Sequence, residues 1–302
     1  MNESAPPSWL SRRVARLMGS AIESGRPAPR GYTPAARWSL VLADGRRVFA
    51  KSGEDTPRSA VATWLRREYR AYRDIAAPFM PELLGWDDDG RHPLLVLEDL
   101  SYAEWPPPWH PEQIALVRSA ADAVARTPPP AWAEDIEERE RGHLSGWLRV
   151  SEDPAPFLGL ELADERWLRR CLPTLIESAR SSQLGGDSLV HFDLRSDNLC
   201  FVTGGSSSRV MLVDWNWCGR GSGVFDVMSW LPTLHAEGGP APWDMVEDSG
   251  GLAALFSGYW ASQAGLPPAG SGRRGRQLQL ACLRSALPWA IRELGLPELP
   301  IE

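Results

Sequence analysis

The sequence predicts an α+β fold in two lobes, a small one built on an antiparallel sheet and a larger, mainly helical one. Three observations carry that expectation. Two short β-forming runs near the start are joined by an Asp-Gly turn, a helical periodicity takes over from Ser59, and helix-like segments dominate beyond the prolines at 106–108. A boundary near residue 100 divides the chain into lobes 1–100 and 101–302.

The elements follow in order. Residues 38–42 and 47–51 are the two β runs, with Asp44-Gly45 between them as the hairpin signal. From Ser59, apolar Val61, Trp64, Leu65, Tyr72 and Ile75 recur every three or four positions, so Glu68 falls on an apolar helix stripe. After Pro78 and Pro81, a turn-rich stretch at 87–90 leads into the buried-strand candidate Leu94-Leu95-Val96-Leu97 and then Glu98-Asp99-Leu100. Helices are expected from Pro111 onward, and the charged stretch 134–141 reads as a solvated helix face. Within this helical part, runs 199–203 and 209–213 flank a Gly/Ser loop, so they form a hairpin whose outer ends carry Asn198 and Asp214.

Composition narrows the function classes. With 302 residues, 43% apolar content and 15 Trp, the chain can bury a substantial core, which excludes whole-chain disorder. A net charge of −7 offers no general attraction to nucleic acid or to an anionic membrane, although it suits a cationic small molecule. No apolar run is long enough to span a bilayer and the start lacks a signal-peptide core, so a cytoplasmic protein is expected. The four cysteines form no CxxC pair, which predicts packed, reduced thiols and no zinc site. Of the 32 basic residues 31 are Arg; Lys51 is the one lysine, and the two cations are not chemically equivalent.

The chemistry concentrates in two places. Residues 189–198 read Leu-Val-His-Phe-Asp-Leu-Arg-Ser-Asp-Asn, with Asp193 and Asn198 five positions apart ahead of a strand, and Asp214 returns at the other end of the hairpin. Asn and Asp oxygens are hard ligands of the kind Mg²⁺ takes, with phosphate and water completing its shell. Asp193 remains to face an incoming hydroxyl. Lys51 at a strand end and Glu68 on an inward helix face form a plausible ion pair, the arrangement that orients the phosphates of ATP.

These ordered motifs resemble the aminoglycoside phosphotransferase and choline kinase group within the protein-kinase-like fold, over about residues 31–230. VFAK at 48–51 is similar to that family's lysine strand, Glu68 to its helix partner, LLVLEDL at 94–100 to its hinge, HFDLRSDN at 191–198 to its catalytic loop and VDW at 213–215 to its metal segment. The resemblance implies ATP and Mg²⁺ as cofactors and a hydroxyl of a small, aminoglycoside-like or amino-alcohol-like molecule as acceptor. It implies Asp193 as catalytic base, Asn198 and Asp214 as Mg²⁺ ligands, Lys51 on the ATP phosphates, Glu68 as the partner of Lys51, and backbone groups of Glu98 and Leu100 on adenine. His191 and Asp226 take scaffold roles, and Arg195 and Asp197 lie within reach of phosphate or substrate.

The sequence also departs from protein kinases. Residues 31–37 contain one glycine in place of GxGxxG, VDWNW replaces Asp-Phe-Gly, and no Ala-Pro-Glu signal follows, all of which argue against a protein substrate. A pseudokinase or nucleotide-binding regulator without turnover is the alternative. The near-match to a Walker A motif at 45–52 fails because Val48 and Phe49 favour a strand where a P-loop opens into a helix. A metallohydrolase built on His191 and Asp193 lacks further histidines at ligand spacing. The tryptophans and acidic residues of the second half, Glu237 among them, suit a cation but also suit a core and a solvated face; they select no substrate.

Overall fold

The computed structural model describes residues 5–28, 34–56, 60–204, 207–268 and 272–300. Along the chain run α1 (Ser8–Met18), β1 (Ile22–Pro27), β2 (Ala36–Leu42), β3 (Arg47–Ser52), α2 (Val61–Ile75), β4 (Leu83–Asp87) and β5 (Leu94–Glu98). Then follow α3 (Pro111–Arg126), α4 (Ile136–Leu144), α5 (Gly146–Glu152), α6 (Ala155–Leu158), α7 (Glu165–Ser181) and β6 (Ser188–Val190). The remainder comprises β7 (Leu199–Gly204), β8 (Ser207–Leu212), β9 (Gly219–Gly221), α8 (Phe225–Ala236), α9 (Gly250–Ala264) and α10 (Gly272–Leu294). Two compact units result, Met1–Pro106 with Ser196–Cys218, and Pro107–Arg195 with Gly219–Glu302. The segment carrying Asn198 and Asp214 thus belongs to the first unit although it lies far along the chain.

The first unit is built on a five-stranded antiparallel sheet in the order β1-β2-β3-β5-β4. Strand alternation gives the sheet two unlike faces. On one, Trp38, Leu40, Leu42, Val48, Ala50, Leu94 and Val96 pack with Leu10 and Val14 of α1 into a core cluster. Burying such side chains stabilises by roughly 1.5–3 kcal/mol each. The opposite face carries Arg37, Ser39, Phe49, Lys51 and Leu97.

The β2–β3 turn decides which residues share that face. A two-residue turn through Asp44-Gly45 would set Trp38 opposite Lys51. Instead Leu42 N donates to Arg46 O at 2.9 Å and Gly45 takes φ +86°, making a three-residue loop. The register therefore shifts by one, Arg37 stands opposite Lys51, and Trp38 turns to the core. Because Arg47–Ser52 is strand throughout, residues 45–52 do not form a P-loop.

Helix α2 presents Val61, Ala62, Leu65, Glu68, Ala71 and Tyr72 as its buried stripe, as the periodicity predicts. It packs beside the 3₁₀ turn Trp215–Trp217, where Trp64 and Trp217 rings lie 5.8 Å apart. The β7–β8 hairpin joins the same unit: Leu212 N donates to Phe79 O at 2.7 Å, and Cys200, Val202 and Met211 pack on Leu100. The hairpin loop at 205–206, like Gly31, Tyr32 and Thr33 of the expected nucleotide loop, lies outside the described residues.

The second unit is mainly helical. Helix α9, apolar nearly all round, packs against α5, α7 and α10. At Gly146 a Cβ would meet the Gly258 carbonyl, so glycine is what lets α5 and α9 approach, and Trp147 Nε1 then donates to Ala254 O at 2.9 Å. The charged stretch at 134–141 departs from a simple solvated face. Glu140 is buried and pairs with Arg139 at 2.7 Å, while Arg141 donates to Ala179 O and Ser182 Oγ. All four cysteines are buried free thiols, as expected. Among the described residues no helix is long and apolar enough to cross a membrane.

Candidate active site

The first unit contains a cavity of about 540 Å³, a volume suited to a nucleotide-sized ligand. Lys51, Glu68, Glu98, Leu100, Asn198 and Asp214 all line it. Lys51 Nζ donates to Glu68 Oε2 at 2.7 Å and to Asp214 Oδ1 at 2.8 Å. Lys51 and Glu68 are 8% and 2% exposed, so this is a buried charge cluster rather than a surface pair of little consequence.

Electrostatics tie the three together. Burial opposes the charge of Lys51, but Asp214 and Glu68 outweigh it and hold the ammonium above its ordinary value. Burial pushes Glu68 up to about 7 against the attraction of Lys51, and the like charge of Asp214 adds to the rise.

Asp214 adopts φ +67° and ψ +53°, a left-handed conformation unusual for a non-glycine residue. Its neighbours hold it there. Trp215 is fully buried, stacks on Phe79 and donates through Nε1 to Leu212 O at 2.8 Å. The indole nitrogen of Trp217 can only donate, which fixes the Asn216 amide with its oxygen toward that indole at 3.0 Å. The Asn216 nitrogen then donates to Asp214 Oδ1 at 3.0 Å and to Asp214 O at 3.1 Å. Across the hairpin base, Val213 N donates to Asn198 O at 2.9 Å, joining the two strand ends as the sequence predicts.

At the expected hinge, Leu100 O accepts from Ala103 N and from Trp105 Nε1, at 3.1 and 3.2 Å. Asp99 is buried, accepts from Ser101 Oγ at 2.6 Å and also lines the cavity.

Asp193 belongs to the second unit, just ahead of the point where the chain enters the first. Its loop is anchored by Asp226, which accepts from His191 N and Phe192 N at 2.8 Å each. Phe192 takes φ +75° and stacks on Phe225 at 5.0 Å, beneath the guanidinium of Arg139. Asp193 N donates to His191 Nδ1 at 3.3 Å, and its carboxylate pairs with Arg195 Nε at 3.1 Å. The carboxylate expected to face an incoming hydroxyl thus already has one oxygen paired with Arg195.

Sequence reasoning missed Asn216, Arg37 and Tyr72. Tyr72 follows Glu68 by one helical turn on the apolar stripe, and it lines the cavity too. Asn216 had a signal in its spacing from Asp214, but its role depends on an amide orientation that only Trp217 determines.

A metal can be tested against the residues present. Among the described residues no group of three or more His, Cys, Asp or Glu is placed to hold an ion. Of the carboxylates that line the cavity, Asp214 sits at the hairpin base whose other strand end carries the side-chain amide of Asn198, and both supply hard oxygen donors. That set fits Mg²⁺, which takes few protein ligands and shares the rest of its shell with phosphate and water.

No protein-family model matches the chain, and no curated protein matches it in sequence. Solved structures do. An amicoumacin kinase in complex with AMP-PNP, Ca²⁺ and Ami superposes with a TM-score of 0.53 at 12% identity, over 96% of this chain and 87% of its own. A macrolide 2′-phosphotransferase from Brachybacterium faecium matches with a TM-score of 0.49 at 17% identity, over 96% and 91% of the two chains. An aminoglycoside-3′-phosphotransferase of type VIII matches at 0.45 and 17% identity, over 91% and 97%. The first of these shows the fold: the chain has the kinase-like α+β architecture expected from its motifs.

Proposed function

We propose that this chain is an ATP-dependent phosphotransferase that moves the γ-phosphoryl group to a hydroxyl of a small molecule. The observation that carries the reading is the buried cluster of Lys51, Glu68 and Asp214 at one wall of a cavity that Asn198 also lines. A structural ion pair needs no such cavity, and a simple binding pocket needs no second carboxylate on the same buried lysine.

In this reading Glu68 fixes Lys51, and Lys51 orients the α- and β-phosphates. Asp214 and Asn198 would hold Mg²⁺, which when bound supplies positive charge against the phosphate oxygens. Because the Leu100 carbonyl is engaged by Ala103 and Trp105, its N–H is the group for a ring nitrogen of adenine, with the Glu98 carbonyl for the exocyclic amine. Asp193 accepts the hydroxyl proton as the new O–P bond forms and the bond to the ADP oxygen breaks, ADP leaving with that electron pair. Arg195 and the Asp226-anchored loop hold the carboxylate for this step. Catalysis then rests on positioning and charge, and on no covalent intermediate with the protein.

The acceptor is proposed to be a small molecule because the sequence lacks an activation-loop signal after VDWNW. Asp193→Asn tests the assignment: turnover should fall by about 10²–10⁴ while ATP affinity holds, the usual scale for losing a general base. Full turnover in that variant would remove Asp193 from the chemistry.

A further inference from the structure

The same sheet face carries a second cation that the lysine-centred reading does not use. Arg37 stands directly opposite Lys51 in the β2–β3 register, and opposed residues of an antiparallel pair project from one face. Both line the cavity. Like charges so opposed repel. An anion with several negative charges would relieve that repulsion.

The neighbouring sequence points the same way. Residues 28–37 hold a single glycine, Gly31, where a glycine-rich phosphate loop carries several. A guanidinium can supply what such a loop supplies, since it stays charged and presents a planar fork of donors matched to phosphate oxygens. One N–H of Arg37 donates to Ala35 O at 3.1 Å, which anchors the group. Arg26, opposite Ser39 on β1, adds another cation at the cavity's edge.

We propose that Arg37 is a polyphosphate-binding residue that takes over the work of a glycine-rich loop and makes this cavity select a nucleoside triphosphate over a nucleoside. The inference rests on the nucleotide-binding reading above and adds the residue that reads the phosphates.

The test is a metal-free titration of ATP, ADP and adenosine into the wild type, Arg37→Gln and Arg37→Lys, followed by calorimetry. Arg37→Gln should weaken ATP by about ten- to a hundredfold, the range for losing hydrogen bonds from a charged group, and ADP by less. Adenosine should stay within about twofold, and Arg37→Lys should recover part of the ATP affinity. Unchanged ATP affinity in Arg37→Gln would overturn the proposal, as would equal losses of ATP and adenosine, which would mean a structural role. If the wild type bound neither ATP nor adenosine, the nucleotide reading itself would fail, a result distinct from the other two. Should Arg37→Gln not fold, Arg37→Met carries the same comparison.

Discussion

Replacing Lys51 by Met removes an ammonium that sits 2.7 Å from Glu68 and 2.8 Å from Asp214 while keeping a side chain of similar length. Glu68 is 2% exposed, so it cannot recover its loss by hydration. Breaking a buried pair from one side costs about 3–5 kcal/mol, and that is the loss expected near pH 8. The pH dependence has a definite sign. Burial already raises Glu68 to about 7 with Lys51 present, and without the cation its carboxyl moves further up. A carboxyl whose folded pKa exceeds its unfolded value favours the fold at low pH and loses that contribution as pH rises through the folded pKa. The deficit of Lys51→Met relative to wild type should therefore be largest near pH 8 and shrink toward pH 5, where Glu68 is neutral in both proteins. Urea unfolding followed by tryptophan fluorescence at the two pH values measures it. A deficit below about 1 kcal/mol at pH 8, the scale of an exposed pair, or one equal at both pH values, would refute the buried-cluster argument.

Two further substitutions probe the same corner. Lys51→Arg keeps the charge but inserts a longer, forked cation between Glu68 and Asp214; kcat/KM should fall about a hundredfold, or near 3 kcal/mol, and near-normal turnover would make the lone lysine incidental. Asn216→Ala removes the amide that holds Asp214 Oδ1, so the Mg²⁺ concentration giving half-maximal nucleotide binding should rise about tenfold, the equivalent of one charge-assisted hydrogen bond. Trp217→Phe should act in the same direction by letting the Asn216 amide turn. Mg²⁺ titrations that overlay the wild type would contradict this positioning role.

Much of the site was legible because it follows from local pattern. Glu68 falls on the α2 stripe by periodicity alone, and the hairpin that brings Asn198 to Val213 is marked by its flanking β runs and Gly/Ser loop. The lysine-poor composition drew attention to Lys51 for a reason unrelated to the structure, and the 2.7 Å contact with Glu68 gave that oddity a physical setting. What escaped the sequence depends on single-residue registers and on orientation. Arg37 faces the cavity only because the Ala43-Asp44-Gly45 loop is one residue longer than a two-residue turn, which inverts the face of every residue on β2. Strand β1, with no buried position and only two half-buried ones, has too little apolar alternation to announce itself. The stretch 134–141 looks solvated by composition, yet Arg139 pairs with Glu140, and Arg141 pairs with Glu137 and donates to the Ala179 carbonyl of another helix, which spacing along one helix cannot reveal.

Phosphoryl transfer itself is the most direct test. The chain should be incubated with ATP, Mg²⁺ and a panel of amino-alcohols, amino-sugars, macrolides and nucleosides, with peptide hydroxyls alongside, and the products read by mass spectrometry. A gain of about 80 Da on at least one small-molecule hydroxyl, the mass of the transferred group, is expected, and it should disappear in Asp193→Asn. Nucleotide binding with no phosphorylated small molecule anywhere in the panel would favour a regulator without turnover, and labelling confined to peptides would contradict the small-molecule assignment outright.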